Sequence, residues 1–305
     1  MNKFKGFLFG MTASSTFGLL PLFTLPIMSE GLTTNSILCY RMLFASVLVA
    51  VLMQVRKIAF RTNLRELLWF AFLGFFYYGS ASLLFQAYGT MSSGMATTLH
   101  FLYPVGVTLI MALVFKQRPS PFTILAIILG LSGVALLSLK EGGGSSSASL
   151  VGILLVLLSG LSYAAYLVTM NNVRRVRESN NLKLTLYVLI FSALFFLLDT
   201  SLSGGLQMIP SGRALTNLLL LAFLPTLVSN LALVRAVKSI GSTLTSVLGA
   251  MEPLTAIVIG VVVFGEEVTG PMALGILLIL LSVTIIVLSP LLDKNIADRL
   301  RRLSK

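Results

Sequence analysis

The sequence predicts an all-α integral membrane protein, ten transmembrane helices arranged as a 5+5 inverted repeat around a central cavity. Three observations carry that expectation. Hydrophobic residues make up 56% of the 305 residues and charged ones 10%, with a mean hydropathy of +0.97, where about a quarter of a soluble domain is charged. Breaks rich in charge, Gly, Pro and Asn divide the chain into ten apolar runs, each near the ~20 residues that a helical crossing requires. At one constant offset Ser93 falls under Ser242, Leu99 under Leu248, Pro104 under Pro253, Ile110 under Ile259 and Phe115 under Phe264, so the chain is two copies of one half.

In chain order the expected spans are 5–28, 33–55, 66–88, 93–115, 121–139, 149–170, 183–201, 214–237, 242–264 and 271–290. They are unbroken apolar runs and not ten-residue alternations, which favours helices over a membrane barrel. The first run follows Lys3 and Lys5 as a signal peptide would, but it is too long and lacks an A-x-A cleavage site, so it is read as retained. The expected units are a first repeat over 1–140, a Gly/Ser-rich outer linker over 141–149, a second repeat over 150–290 and a basic cytoplasmic tail over 291–305. Five crossings per half is an odd number, so the second half enters the membrane upside down. The seam, KEGGGSSSAS from Lys140 to Ser149, reads as a flexible connector. It has no phosphate-cradling G-x-x-x-x-G-K-[ST] pattern.

The first helix places Gly10, Ser14 and Gly18 on one face, the spacing that lets helix backbones approach closely. Its repeat partner, the sixth helix, sets Gly160 and Ala164 under Ser14 and Gly18, and Tyr163 under Phe17. The third helix is aromatic through its middle, Phe75 to Tyr78. A phenol hydroxyl in hydrocarbon needs a partner, so one of Tyr77 and Tyr78 is expected to face inward. The eighth helix carries Asn230 near mid-depth, either an interhelical bond or a ligand contact.

A net charge of +12 and a pI near 10.1 would suggest nucleic acid for a soluble protein. Location excludes that partner here. With the N terminus inside, only Lys140 and Arg213 among the basic residues fall in outer loops, and the positive-inside rule then places both termini in the cytoplasm; the expected location is the cell (inner) membrane. Cys39, the single cysteine, permits no disulfide framework and reads as a small buried residue.

Away from the span ends, two formal charges lie inside the expected spans, Arg41 in the second and Glu252 in the ninth. An ionised side chain in hydrocarbon costs roughly 3 kcal/mol or more, so each must face protein, water or a partner. Arg41 is about eight residues, ~12 Å, from the outer end of its helix, and the two could share a layer and pair. Arg41 is otherwise an anchor that snorkels or bonds helix-end carbonyls, and Glu252 an interhelical hydrogen-bonding group. His100, the single histidine, is either a neutral interhelical bond or a proton carrier. One His excludes histidine metal sites of more than one ligand. Tyr103-Pro104 and Glu252-Pro253 occupy equivalent positions, and each proline removes a backbone bond at mid-depth, where only protein or a cavity can receive the freed carbonyl. Such symmetric breaks point to a central site.

The paired proline helices, Ala96 to Phe115 and Leu244 to Gly265 with the run EPLTAIVIGVVVFGEE, together with RMLFA from Arg41 and the QAYGTMSSG and RAVKSIGST turns, resemble the drug/metabolite transporter superfamily in its ten-helix EamA-type branch. One departure is Lys116-Gln117, where the second half has Glu266 and Glu267. The resemblance covers nearly the whole chain. It implies that helices 1 to 4 and 6 to 9 surround the cavity, that the halves rock to alternate access, and that the protein exports a small metabolite using a proton gradient or exchange. The expected substrate-path residues are Phe17, Tyr77, Tyr103 and Tyr163 as an aromatic cage suited to an apolar or cationic part, with Arg41, His100, Asn230 and Glu252 as polar contacts. Glu252 is also the candidate for proton coupling. Pro104 and Pro253 are the helix breaks, and no cofactor or metal is expected. Two other classes compete. A membrane-embedded enzyme would need a paired acid, base or metal site, and away from their ends the spans offer one His, one Glu and one Arg. A sensory or scaffolding protein would usually carry a soluble domain. The sequence leaves substrate, direction, coupling ion and oligomeric state open.

Overall fold

A computed structural model of the chain describes residues 3–88, 90, 96, 99–138, 150–264 and 270–303. Its helices are α1 (Lys3–Phe17), α2 (Leu20–Ser29), α3 (Thr34–Val55), α4 (Leu64–Tyr88), α5 (Tyr103–Leu113), α6 (Pro121–Ser138) and α7 (Leu150–Asn172). They continue with α8 (Arg174–Glu178), α9 (Asn181–Leu202), α10 (Gly212–Ala222), a π-helical segment (Phe223–Val228), α11 (Ser229–Leu248), α12 (Met251–Phe264) and α13 (Gly270–Leu303). Side-chain caps start several of them: Asn63 Oδ1 accepts from the Glu66 N–H at 2.8 Å, Asn180 Oδ1 from Leu182 at 2.9 Å and Ser211 Oγ from Ala214 at 3.0 Å. Each cap fills a donor that the first helical turn leaves open.

Seven stretches among the described residues are long and apolar enough to cross a membrane: Lys3–Ser29, Thr34–Val55, Leu64–Ala87, Leu150–Asn172, Asn181–Leu202, Gly212–Leu248 and Gly270–Ser289. Three shorter apolar helices, Tyr103–Leu113, Pro121–Leu136 and Met251–Val263, accompany them. Exposed Val47, Val51, Leu158, Leu194, Leu277 and Leu281 give the outer surface the apolar character of a bilayer contact. The linker over 141–149, Lys140, Glu266, Glu267 and the last residues of the tail lie outside the described residues.

Helices from the two ends of the chain pack against each other in pairs. α1 lies along α11 and α12, α7 along α4 and α5, α3 beside α9, and α6 beside α13. Serine hydroxyls tie these pairs together. Ser159 donates to the Ser80 carbonyl at 2.5 Å, Ser192 to Gly74 at 3.0 Å, Ser229 to Ala13 at 2.9 Å and Ser282 to Ala126 at 2.6 Å. Interhelical bonds of this kind contribute about 0.6 kcal/mol each on average. In all four the donor lies after residue 150 and the acceptor before residue 139.

Four of the expected spans are interrupted. The first turns at Gly18 and Leu19 between α1 and α2, and Phe101 and Leu102 precede α5. The stretch Gly212–Leu248 passes through the π-helical segment, and Gly249 and Ala250 separate α11 from α12. The expected boundary between spans 214–237 and 242–264 coincides with Gly241, where two helices meet at a non-helical φ of 86° and ψ of 167° that glycine adopts freely; a further break falls at Gly249 and Ala250. Pro104 and Pro253 accordingly sit in the first turns of new helices, where a missing N–H costs little.

Candidate functional site

The site is built up from the π-helical segment. Pro225 has no N–H, so the Leu221 carbonyl four residues earlier loses its helical partner. Thr226 Oγ1 donates to that carbonyl at 2.8 Å. With its one proton committed, the same oxygen is a fixed acceptor, and Arg41 Nε on α3 donates to it at 2.6 Å. The Arg41 guanidinium also lies over the Phe17 ring, 5.0 Å from its centroid. Arg41 is 4% exposed, so it does not snorkel to the interface. Its Nη2 is buried with no hydrogen-bond partner.

Asn230 continues the network from the next helical turn. Its Nδ2 donates to the Thr226 carbonyl at 2.8 Å and to the Tyr77 hydroxyl at 3.3 Å. From Tyr77 a row of rings leads across the molecule. Tyr77 meets Tyr166 at 5.4 Å between centroids, Tyr166 stacks on Tyr163 at 5.9 Å, and Tyr163 meets Tyr103 edge to face at 4.8 Å. The Tyr103 hydroxyl donates to the Ser246 carbonyl at 3.2 Å. It occupies the space that a side chain on Gly249 would fill.

His100 lies 5.8 Å from Tyr103, ring to ring, and its Nδ1 is 3.0 Å from Ser159 Oγ. Ser159 gives its only proton to Ser80, so the bond to His100 runs from Nδ1–H to the serine oxygen, which fixes the tautomer. Glu252 is half-buried in the first turn of α12. Its carboxylate is in electrostatic range of Arg41, Tyr103 and Tyr163. Its backbone carbonyl backs onto Gly18, whose missing side chain permits that approach. Among the described residues Arg174–Glu178 is the single ion pair, so Glu252 and Arg41 are near but not joined.

All eight polar and aromatic residues expected at the site therefore join one continuous neighbourhood. Tyr77 faces inward, whereas Tyr78 turns to Phe195 and Phe196 on α9. Sequence reasoning missed Tyr166, Thr226, Ser159 and Ser246. Tyr166 was detectable, since it lies three residues after Tyr163 on the same helix face. Thr226 stands beside Pro225 inside a span, which is the signal for a side chain repairing a proline break.

The EamA-like transporter family matches the chain over residues 4–139 and again over residues 150–288. The chain belongs to this family. It is an all-helical, multi-pass membrane protein and a membrane transporter of the drug/metabolite type. A relative named "Uncharacterized transporter sll1319", from Synechocystis sp., is 26% identical over 239 residues, 76% of this chain and 71% of that protein. A solved crystal structure superposes with a TM-score of 0.80 at 20% identity, covering 95% of this chain and 98% of the other. At that identity the likeness is one of fold.

Proposed function

We propose that the protein is a secondary active transporter that moves a small metabolite, an amino acid or a related compound, across the inner membrane by alternating access. Four interrupted spans gathered around one polar and aromatic cluster carry the reading. Irregular backbone at membrane depth is tolerated where it lines a cavity, and discontinuous helices meeting at mid-depth are the usual architecture of a transporter binding site. Ten crossings in two inverted halves fit the seven long and three shorter apolar stretches. The double family match, with residues 140–149 between the two copies, supports the same division. So does the pairing of helices across the halves. The basic residues of the inner loops favour cytoplasmic termini.

In this reading the tyrosine row and Phe17 hold the apolar part of the substrate, Arg41 and Glu252 its charged parts, and Glu252 exchanges a proton as access alternates. Export driven by a proton gradient or by exchange follows the family pattern. The test is counterflow in proteoliposomes carrying the purified full chain and preloaded with a panel of unlabelled metabolites. The expected result is accumulation of at least one labelled compound that disappears when the protein is omitted. Equal signal with and without protein across the panel contradicts the proposal.

A further inference from the structure

Arg41 carries a buried charge that no ion pair among the described residues compensates, Glu252 acting on it only from a distance. Its Nε is held by Thr226 at 2.6 Å and its Cζ lies 5.0 Å over the Phe17 ring. Neither partner is an anion. Nη2 is buried without a hydrogen bond, and among the described residues no ion pair reaches the guanidinium. A buried, unpaired charge with an open donor is among the least favourable arrangements a protein core can hold, and it persists where a ligand supplies the missing partner. The outer edge of a guanidinium presents two parallel N–H groups, which match the two oxygens of a carboxylate.

Arg41 is also preset. Pro225 leaves the Leu221 carbonyl open, Thr226 turns its proton to it at 2.8 Å, and the threonine oxygen then accepts from Nε. This pins the inner edge of the guanidinium. The outer edge stays free for an incoming group, with little ordering left to be done on binding.

We propose that Arg41 binds a carboxylate of the transported molecule and that Thr226 is the positioning residue that holds the guanidinium for it. This rests on the transporter reading and adds a substrate class to it. Glu252, in electrostatic range but unpaired, is left for a cationic group on the same molecule or for a proton.

The experiment measures the thermal stability of the detergent-purified full chain in the presence of matched pairs of small carboxylic acids and their amides, among them phenylacetate with phenylacetamide. In at least one pair the acid raises the melting temperature and the amide does not. Arg41→Gln removes that preference. Thr226→Val keeps it with affinity for the acid weakened roughly tenfold, the loss expected for one hydrogen bond to a charged group, and Thr226→Ser restores it. A wild-type protein that responds equally to acid and amide in every pair overturns the proposal without recourse to any variant. So does an acid preference that survives Arg41→Gln, or an affinity unchanged by Thr226→Val. A chain that performs counterflow yet shows no acid preference retains the transporter reading and loses this one.

Discussion

The break before α5 and the break before α12 are the same device in the two halves, and they carry opposite chemistry. Before α5, His100 and Tyr103 each hold a partner: Nδ1 of His100 bonds Ser159 at 3.0 Å, and the Tyr103 hydroxyl bonds Ser246 at 3.2 Å. Before α12, the equivalent positions hold Gly249 and Glu252. Gly249 is empty space filled by the Tyr103 hydroxyl, and Glu252 has no ion-pair partner. One break therefore locks onto the other, while the second presents an acid that has no ion-pair partner among the described residues. A repeated backbone geometry fixes position, and the side chains decide which contacts each copy makes.

The largest expected effect comes from disturbing the lock. Gly249→Val places a side chain where the Tyr103 hydroxyl and the Ser246 carbonyl now lie, and overpacking of this kind costs about 1–3 kcal/mol or more. The expected outcome is a lower melting temperature in detergent. Tyr103→Phe in the same chain recovers part of it, because removing the hydroxyl clears the space. Absence of rescue in that double-mutant cycle would mean that the two residues are not coupled.

A smaller effect is expected at His100. Asparagine keeps an N–H close to the position of Nδ1, so His100→Asn should hold the Ser159 bond and cost less than about 1.5 kcal/mol. Counterflow should continue. Loss of transport by this variant with the fold intact would move His100 from the structural side of the comparison to the functional one.

Much of this was legible in the sequence because the bilayer makes its demands on composition. Apolar runs, loop charges and an intramembrane acid are visible without coordinates, and so is the offset that lays Pro104 under Pro253. What was hidden depends on directions across helices. Adjacent Tyr77 and Tyr78 look alike in the sequence, yet a helix turns one to Asn230 and the other to α9. The boundary at Gly241 was legible because a glycine beside a charged turn marks it, and its φ of 86° is one that glycine takes freely. The pairing of Arg41 with Glu252 was a matter of depth alone. The fold instead gives Arg41 a threonine oriented by the neighbouring proline break, 185 positions away in the chain, where no residue-by-residue reading looks for it.

The claim that most needs testing is that Glu252, the unpaired group at the second break, couples transport to protons. Proteoliposomes holding wild type or Glu252→Gln, assayed with a substrate identified by counterflow, would be followed under an imposed proton gradient from acidic to mildly alkaline pH. Glutamine preserves shape and hydrogen bonding but cannot ionise. The account predicts that Glu252→Gln remains inserted and monodisperse and loses gradient-driven accumulation together with its pH dependence. An unchanged profile would contradict it and return Glu252 to the role of an interhelical hydrogen bond.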